Sequence, residues 1–337
     1  MRDSTEHWQK ILASGFTSVQ ELLKYLDLPP ALGSNTAQDS FKTRVPLRFA
    51  AKMQRGNPSD PLLLQVLAAP QELQLNANYH TDPLQEASSN PIPGLIHKYA
   101  NRVLLTVTGV CAINCRFCFR RHFPYSDNNP GQQGWQQAMT YIQQHPKIQE
   151  VILSGGDPLL ASDQVLERLF ASLEAIEHVK TIRIHTRVPI VLPERIHPNF
   201  VKLLTARRFR VVVVLHCNHP QELDEAVRRA CKRMQKRGCL LLNQTVLLKG
   251  INDQSAILSA LSQSLFDYGV LPYYLHLLDP VQGAQHFDLS LQQALSIYQE
   301  LQSQLPGYLV PKLVREQAGM AYKMIMGNGA QPGFETA

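Results

Sequence analysis

From Arg102 onward the chain repeats one unit, an apolar strand-like run followed by an amphipathic helical stretch. The runs begin near Arg102, Glu150, Thr181, Arg210, Cys239 and Leu271 and are rich in Val, Ile, Leu or Tyr. Short apolar runs bounded by turn residues read as buried strands. Helix candidates lie between them, at 134–145, 163–178, 220–237 and 289–304. Six such units predict a parallel sheet, and right-handed crossovers favour curling it into a full or partial barrel. The expected fold is α/β, a partial, TIM-like (β/α)6 barrel over 96–310. Chemistry in such a barrel belongs at the carboxyl ends of the strands.

The flanks read differently. Residues 1–95 are short helices and connectors, broken at Leu28-Pro29-Pro30, Gly56-Asn57-Pro58 and Pro91-Ile92-Pro93-Gly94. This helical appendage shows no chemical motif and is expected to pack on the barrel or on a second subunit. Residues 311–337 form a carboxy-terminal segment whose tail, 327–337, carries several Gly with Asn and Pro and is expected to be mobile.

Just after the first strand-like run stand Cys111, Cys115 and Cys118, spaced CxxxCxxC. A structural zinc site usually closes its tetrahedron with four ligands in paired spacings, and no second CxxC or HxxxH pair occurs. Three thiolates on a cubane iron-sulfur cluster would instead leave one iron open to a ligand. The bland alternative is a trio of buried thiols. Ser154, Gly155, Gly156 and Asp157 end the second run; paired glycines admit close backbone approach to a ligand, although Gly-Gly-Asp-Pro alone is more often a turn.

Composition narrows the rest. No apolar run is long enough to cross a bilayer, and the amino terminus is acidic rather than signal-like, so a cytoplasmic protein is expected. Cys217, Cys231 and Cys239 share no spacing and fit reduced core thiols. The net charge of +6 permits an acidic partner but carries no nucleic-acid motif. The basic stretch Arg228 to Arg237 follows Glu222, Asp224 and Glu225, the order a helix dipole favours, and reads as a solvated face.

The CxxxCxxC spacing, with Phe117 before the third cysteine, resembles the radical S-adenosylmethionine enzymes. Five ordered segments narrow the resemblance: GVCAINCRFCFRRH at 109–122, SGGDPL at 154–159, RVPIVLPERI at 187–196, HCNHP at 216–220 and NQTVLL at 243–248. Together they resemble the lysine 2,3-aminomutase family. The segments RGNPSDPL at 55–62 and PGLIHKY at 93–99 are similar to its short bacterial branch, which makes (R)-β-lysine for elongation factor P.

The resemblance implies a 4Fe-4S cluster on Cys111, Cys115 and Cys118, with S-adenosylmethionine at Ser154, Gly155, Gly156 and Asp157. It also implies pyridoxal 5'-phosphate, in Schiff base linkage to Lys323 and held by Lys98, Arg102 and Gln244. Lys312 is the rival lysine. Arg120 would clamp the substrate carboxylate, and Asp279 with Glu316 would receive the lysine ε-ammonium. The implied reaction moves the amino group of L-lysine from carbon 2 to carbon 3 by a 5'-deoxyadenosyl radical, with flavodoxin or ferredoxin as electron donor. A homo-oligomer is compatible with it; a stable nucleic-acid complex or membrane attachment is not expected. Three positions depart from the longer enzymes of the family: only Gly319 remains of the glycines before Lys323, Glu316 replaces an aspartate, and Lys98 replaces an arginine. Two alternatives are an aminomutase for another amino acid such as glutamate, against which the acidic pair argues, and a non-catalytic metal- or RNA-binding protein.

Overall fold

The computed structural model describes residues 4–128, 131–320 and 322–327; the tail expected to be mobile lies outside them beyond Gly327. Nine strands form one sheet in chain order: β1 Leu95–Tyr99, β2 Arg102–Thr108, β3 Glu150–Gly155, β4 Thr181–Thr186, β5 Arg210–His216, β6 Leu240–Val246, β7 Leu271–His276, β8 Lys312–Arg315 and β9 Met324–Ile325. Strands β2 to β8 are parallel, while β1 and β9 pair antiparallel at the two edges. The six expected strands are β2 to β7. The core therefore has a seventh parallel strand, β8, and two antiparallel flanks. All three additions are two to five residues long, too short for period-2 alternation to stand out.

The side-chain period of two separates the faces. On the outer face Val103, Leu105, Val151, Leu153, Ile182, Ile184, Val213 and Leu215 are buried in one large apolar cluster. They meet helices such as Asp163–Glu174, whose Leu166, Leu169, Phe170 and Leu173 recur at helical spacing behind a Ser162 cap. The inner face is mixed: Ile152 and Leu242 alternate with Ser154, Arg183, His185, His216, Gln244 and His276, all lining a cavity of about 1080 Å³. One cavity reached from every strand shows that the sheet is curled. β1 and β9 end the strand order, so the barrel is partial.

Residues before β1 form helices Ser4–Ala13, Val19–Tyr25, Asn35–Ser40, Leu47–Ala50 and Pro61–Leu64 with one-turn 3-10 pieces between them. Trp8, Leu22, Leu23, Phe49, Leu62 and Leu63 join the barrel's own apolar cluster, so this region packs on the barrel. Helices Pro198–Thr205 and Ser255–Asp267 complete the outer layer without having been expected. The basic helix Glu225–Gln235 is capped by Asp224, and Arg228 and Arg229 pair with Glu225 in solvent. Cys217, Cys231 and Cys239 are buried and free.

Candidate active site

The loop that leaves β2 carries Cys111, Cys115 and Cys118, all free and partly exposed to the cavity. Burial raises the Cys118 thiol to about 11, and the neighbouring Cys115 adds to it. Cys111 is raised further by burial, then by Cys118, Asp157 and Cys115. Thiols that oppose each other's ionisation ask for shared positive charge, and soft thiolates suit iron-sulfur ligation. Among the described residues no three His, Cys, Asp or Glu side chains converge on a point fit for a single metal ion. A cubane, which spreads its thiolates over separate irons, asks for wider spacing. The guanidinium of Arg187 donates to Cys115 Sγ at 2.7 Å, while its other nitrogen meets Glu222 at 2.9 Å.

The glycine motif at the end of β3 braces this loop. Gly156 N donates to Thr108 O at 2.7 Å and Asp157 N to Val110 O at 2.8 Å. A Cβ on Gly155, at φ +118°, would lie 2.4 Å from Thr108 O, and one on Gly156 would lie 2.5 Å from Val110 O. Only glycine admits that approach. Asp157 is spent within the protein: its oxygens accept from Leu159 N, Thr186 Oγ1, Arg187 N and Val188 N. Burial nevertheless pushes its carboxyl up to about 6. Its carboxylate shapes the turn rather than facing the cavity with open acceptors.

Every residue expected at the site lines the one cavity, from Cys111 to Lys323. Their pairings refine the expected roles. Arg120 forms a fork on Glu86, Nε to Oε2 at 2.7 Å and Nη2 to Oε1 at 2.8 Å, and Nη1 donates to Ser154 Oγ at 3.0 Å. Lys98 lies 3.7 Å from Glu86 and 3.2 Å from Glu316, whose second oxygen pairs with Lys323. The result is an alternating file, Arg120, Glu86, Lys98, Glu316, Lys323. Lys98, expected to hold a phosphate, is thus engaged with two carboxylates. Burial works against the Glu316 charge, but Lys323 and Lys98 outweigh it and hold its carboxyl down at about 2.

Asp279 follows β7 and is the other acid. No described side chain hydrogen-bonds its carboxylate, and burial, with Glu316 second, pushes it up to about 7. Of the two acids it is the one without a side-chain partner among the described residues. Arg102 stacks 4.1 Å over Tyr99 and donates to Asn101, and Gln244 meets His216 Nε2 at 2.7 Å. Burial depresses His216 and His276 to about 3, helped by Arg187 and Lys323 respectively, so both are neutral. His185 and His276 line the cavity wall, and their Nε2 atoms are buried without a hydrogen-bond partner. Lys312 lies on the exposed edge of the cavity, whereas Lys323 is half-buried within it.

Two buried glutamates beside the site escaped sequence reasoning, and both come from the amino-terminal region. Glu72 is buried against Arg116 (2.8 and 2.6 Å) and Arg121 (2.7 Å) on the outer side of the cysteine loop, of which Arg121 also reaches the cavity lining. Glu86 is buried against Arg120 on the inner side. Neither glutamate stands in a recognisable motif, and nothing local in the sequence marks them.

A partial parallel barrel with a three-cysteine loop after its first parallel strand, braced by a glycine turn on the next, defines a radical S-adenosylmethionine protein; residues 105–260 match the Radical SAM superfamily. That superfamily implies a 4Fe-4S cluster and S-adenosylmethionine, which the thiol trio and the Cβ-free cradle fit. Over 95% of both chains this protein is 48% identical to the L-lysine 2,3-aminomutase of Haemophilus influenzae. It is 47% identical to that of Escherichia coli over 94% of this chain and 93% of the relative. The L-lysine 2,3-aminomutase of Clostridium subterminale is 36% identical over 93% of this chain and 76% of its own length. The chain belongs to the L-lysine 2,3-aminomutase family.

Proposed function

We propose that this protein converts L-lysine to (R)-β-lysine, moving the amino group from carbon 2 to carbon 3. The observation that carries the reading is the union, in one cavity, of the thiol trio with Lys323, Arg120 and Asp279 from opposite ends of the sequence. When bound, the cluster with S-adenosylmethionine supplies a carbon-centred radical, and pyridoxal phosphate supplies an aldehyde through which the amino group can shift.

The chain's own residues recognise the substrate by charge at both ends. Arg120 offers a planar fork to the α-carboxylate. Asp279 accepts the ε-ammonium; its elevated carboxyl ionises when that cation arrives, because an opposite charge favours the charged form. An anionic side chain such as that of glutamate would leave two buried negative charges facing each other, which selects against it. Neutral His216 and His276 line the wall without adding a competing cation. Cys111, Cys115 and Cys118 hold the cluster, Gly155 and Gly156 admit S-adenosylmethionine, and Lys323 holds the pyridoxal aldehyde. Arg102 and Gln244 are assigned to pyridoxal phosphate, with Lys98 acting through Glu316.

Anaerobic incubation of the reconstituted protein with lysine, S-adenosylmethionine and dithionite tests the reading: β-lysine is expected, and conversion of glutamate with lysine untouched would overturn it. Borohydride reduction followed by peptide mapping is expected to place the pyridoxyl group on Lys323; a label on Lys312 would reassign the site. We further propose that flavodoxin or ferredoxin delivers the electron, that the protein is cytoplasmic, and that its product modifies elongation factor P. These three rest on the family resemblance. Among the described residues no helix is long and apolar enough to cross a membrane.

A further inference from the structure

Glu86 is a buried carboxylate inside a cavity whose proposed substrate brings a carboxylate of its own. Two negative groups near one guanidinium would repel each other unless the protein arranges the charge around them. Glu86 is 5% exposed and shared: it takes the Nε and Nη2 edge of Arg120 and also lies 3.7 Å from Lys98. Lys98 is balanced by Glu316 at 3.2 Å, so an incoming carboxylate depends on how the donors of Arg120 are directed rather than on a surplus of charge. Arg120 has five N–H groups. Glu86 occupies two and Ser154 Oγ one, leaving two, the number a bidentate carboxylate takes.

The backbone is bent to deliver this residue. Gln85, immediately before it, adopts a left-handed conformation at φ 48° and ψ 45°, which a side-chain-bearing residue rarely holds without a reason. Asp82 fixes the turn, accepting from Glu86 N at 3.0 Å and Ala87 N at 3.3 Å. The Arg120 guanidinium is also flanked by the rings of Phe119 at 4.9 Å and Phe123 at 5.7 Å. A long arginine side chain is thereby confined on several sides before any substrate arrives.

We infer that Glu86 is the positioning residue of the carboxylate clamp: it sets the guanidinium of Arg120 with one bidentate edge turned to the substrate, and confers selection for an amino acid with a free α-carboxylate. The inference rests on the lysine reading above. It acts through Arg120, so its signature is discrimination between lysine and lysinamide, which lacks the negative carboxylate.

The test titrates both compounds into anaerobically reconstituted holoenzyme, following heat and the pyridoxal absorbance, for the parent protein and for Glu86→Gln, Glu86→Asp and Arg120→Lys. In the parent, lysine should bind more tightly than lysinamide. Glu86→Gln should weaken lysine about tenfold or more while changing lysinamide less than about twofold, so that KM rises far more than kcat falls. Glu86→Asp keeps the charge but shortens the reach, and should lose part of the same preference; it serves if the Gln variant fails to fold. Equal weakening of both ligands, or an unchanged preference, overturns the role of Glu86. If Arg120→Lys erases the preference while neither Glu86 variant does, this inference alone falls. If Arg120→Lys leaves it intact, the carboxylate-clamp reading falls with it.

Discussion

The cysteine loop presents two faces, and each is met by one glutamate from the amino-terminal region. On the outer face Glu72 is shared by Arg116 and Arg121; Arg116 is fully buried and also donates to the carbonyls of Phe41 and Ala37. That face is nearly sealed, its paired side chains being no more than 2% exposed. On the inner face Glu86 forks on Arg120, but the group borders the cavity, and Arg120 keeps N–H donors that no described group accepts. The same chemistry, a glutamate forked on an arginine, thus closes the structure on one side and prepares it for a ligand on the other. What separates the two is access: a pair sealed from water acts on stability, whereas a pair at a cavity edge acts on binding.

The sharpest way to break this contrast is Glu72→Gln, which leaves two buried guanidinium charges without a counterion. Loss of about 3–5 kcal/mol in chemical denaturation is expected, together with a fall in iron bound per chain. A loss below about 1 kcal/mol would show the outer face to be as tolerant as the inner one. Gly155→Ala tests the brace between them: a Cβ 2.4 Å from Thr108 O at φ +118° cannot be accommodated without moving the loop. It should cost at least about 2 kcal/mol and lower iron content. Glu86→Gln should cost less, about 1–2 kcal/mol, because Arg120 keeps Ser154 and can turn toward the cavity.

Asp279 gives the smallest effect on stability and one of opposite sign. Its folded carboxyl, pushed up to about 7 by burial and by Glu316, binds protons more tightly than an unfolded one near 4. The folded form is therefore favoured at low pH, and that advantage is lost as pH rises from about 4 through 7. Asp279→Asn removes the charge that burial opposes. In the absence of lysine the variant should equal the parent near pH 4 and exceed it at pH 8, measured by thermal unfolding. Its lysine KM should nonetheless rise about tenfold or more. In the parent, lysine affinity should weaken as pH falls below about 7, following protonation of the same group. A variant that is both less stable at pH 8 and unchanged in KM would remove Asp279 from the site.

The barrel was legible from Arg102 to Leu271 because parallel strands buried on one face read as apolar runs, and their spacing admits little but βα units. The three short strands β1, β8 and β9 were not, since they owe their conformation to pairing with neighbours rather than to a pattern of their own. The cysteine trio was legible because its three thiols share one short loop. So was the glycine turn, although its function as a brace for Thr108 and Val110 needed coordinates. The file from Arg120 to Lys323 was visible only as isolated residues. Lys98 and Glu316 are 218 positions apart, and nothing at either place announces the other.

The amino-terminal region marks the limit most clearly. It folds as short helices, yet its chemistry is invisible in the sequence, because a buried glutamate looks like a surface glutamate until its partner is known. Sequence alone determined the architecture and the cluster loop, since both depend on periodicity and local spacing, which act along the chain. Only the tertiary structure decided that Glu72 lies against Arg116 and Arg121 and Glu86 against Arg120. The charge on a side chain is written in the sequence, but its solvation and its counterion are set by what the fold brings beside it.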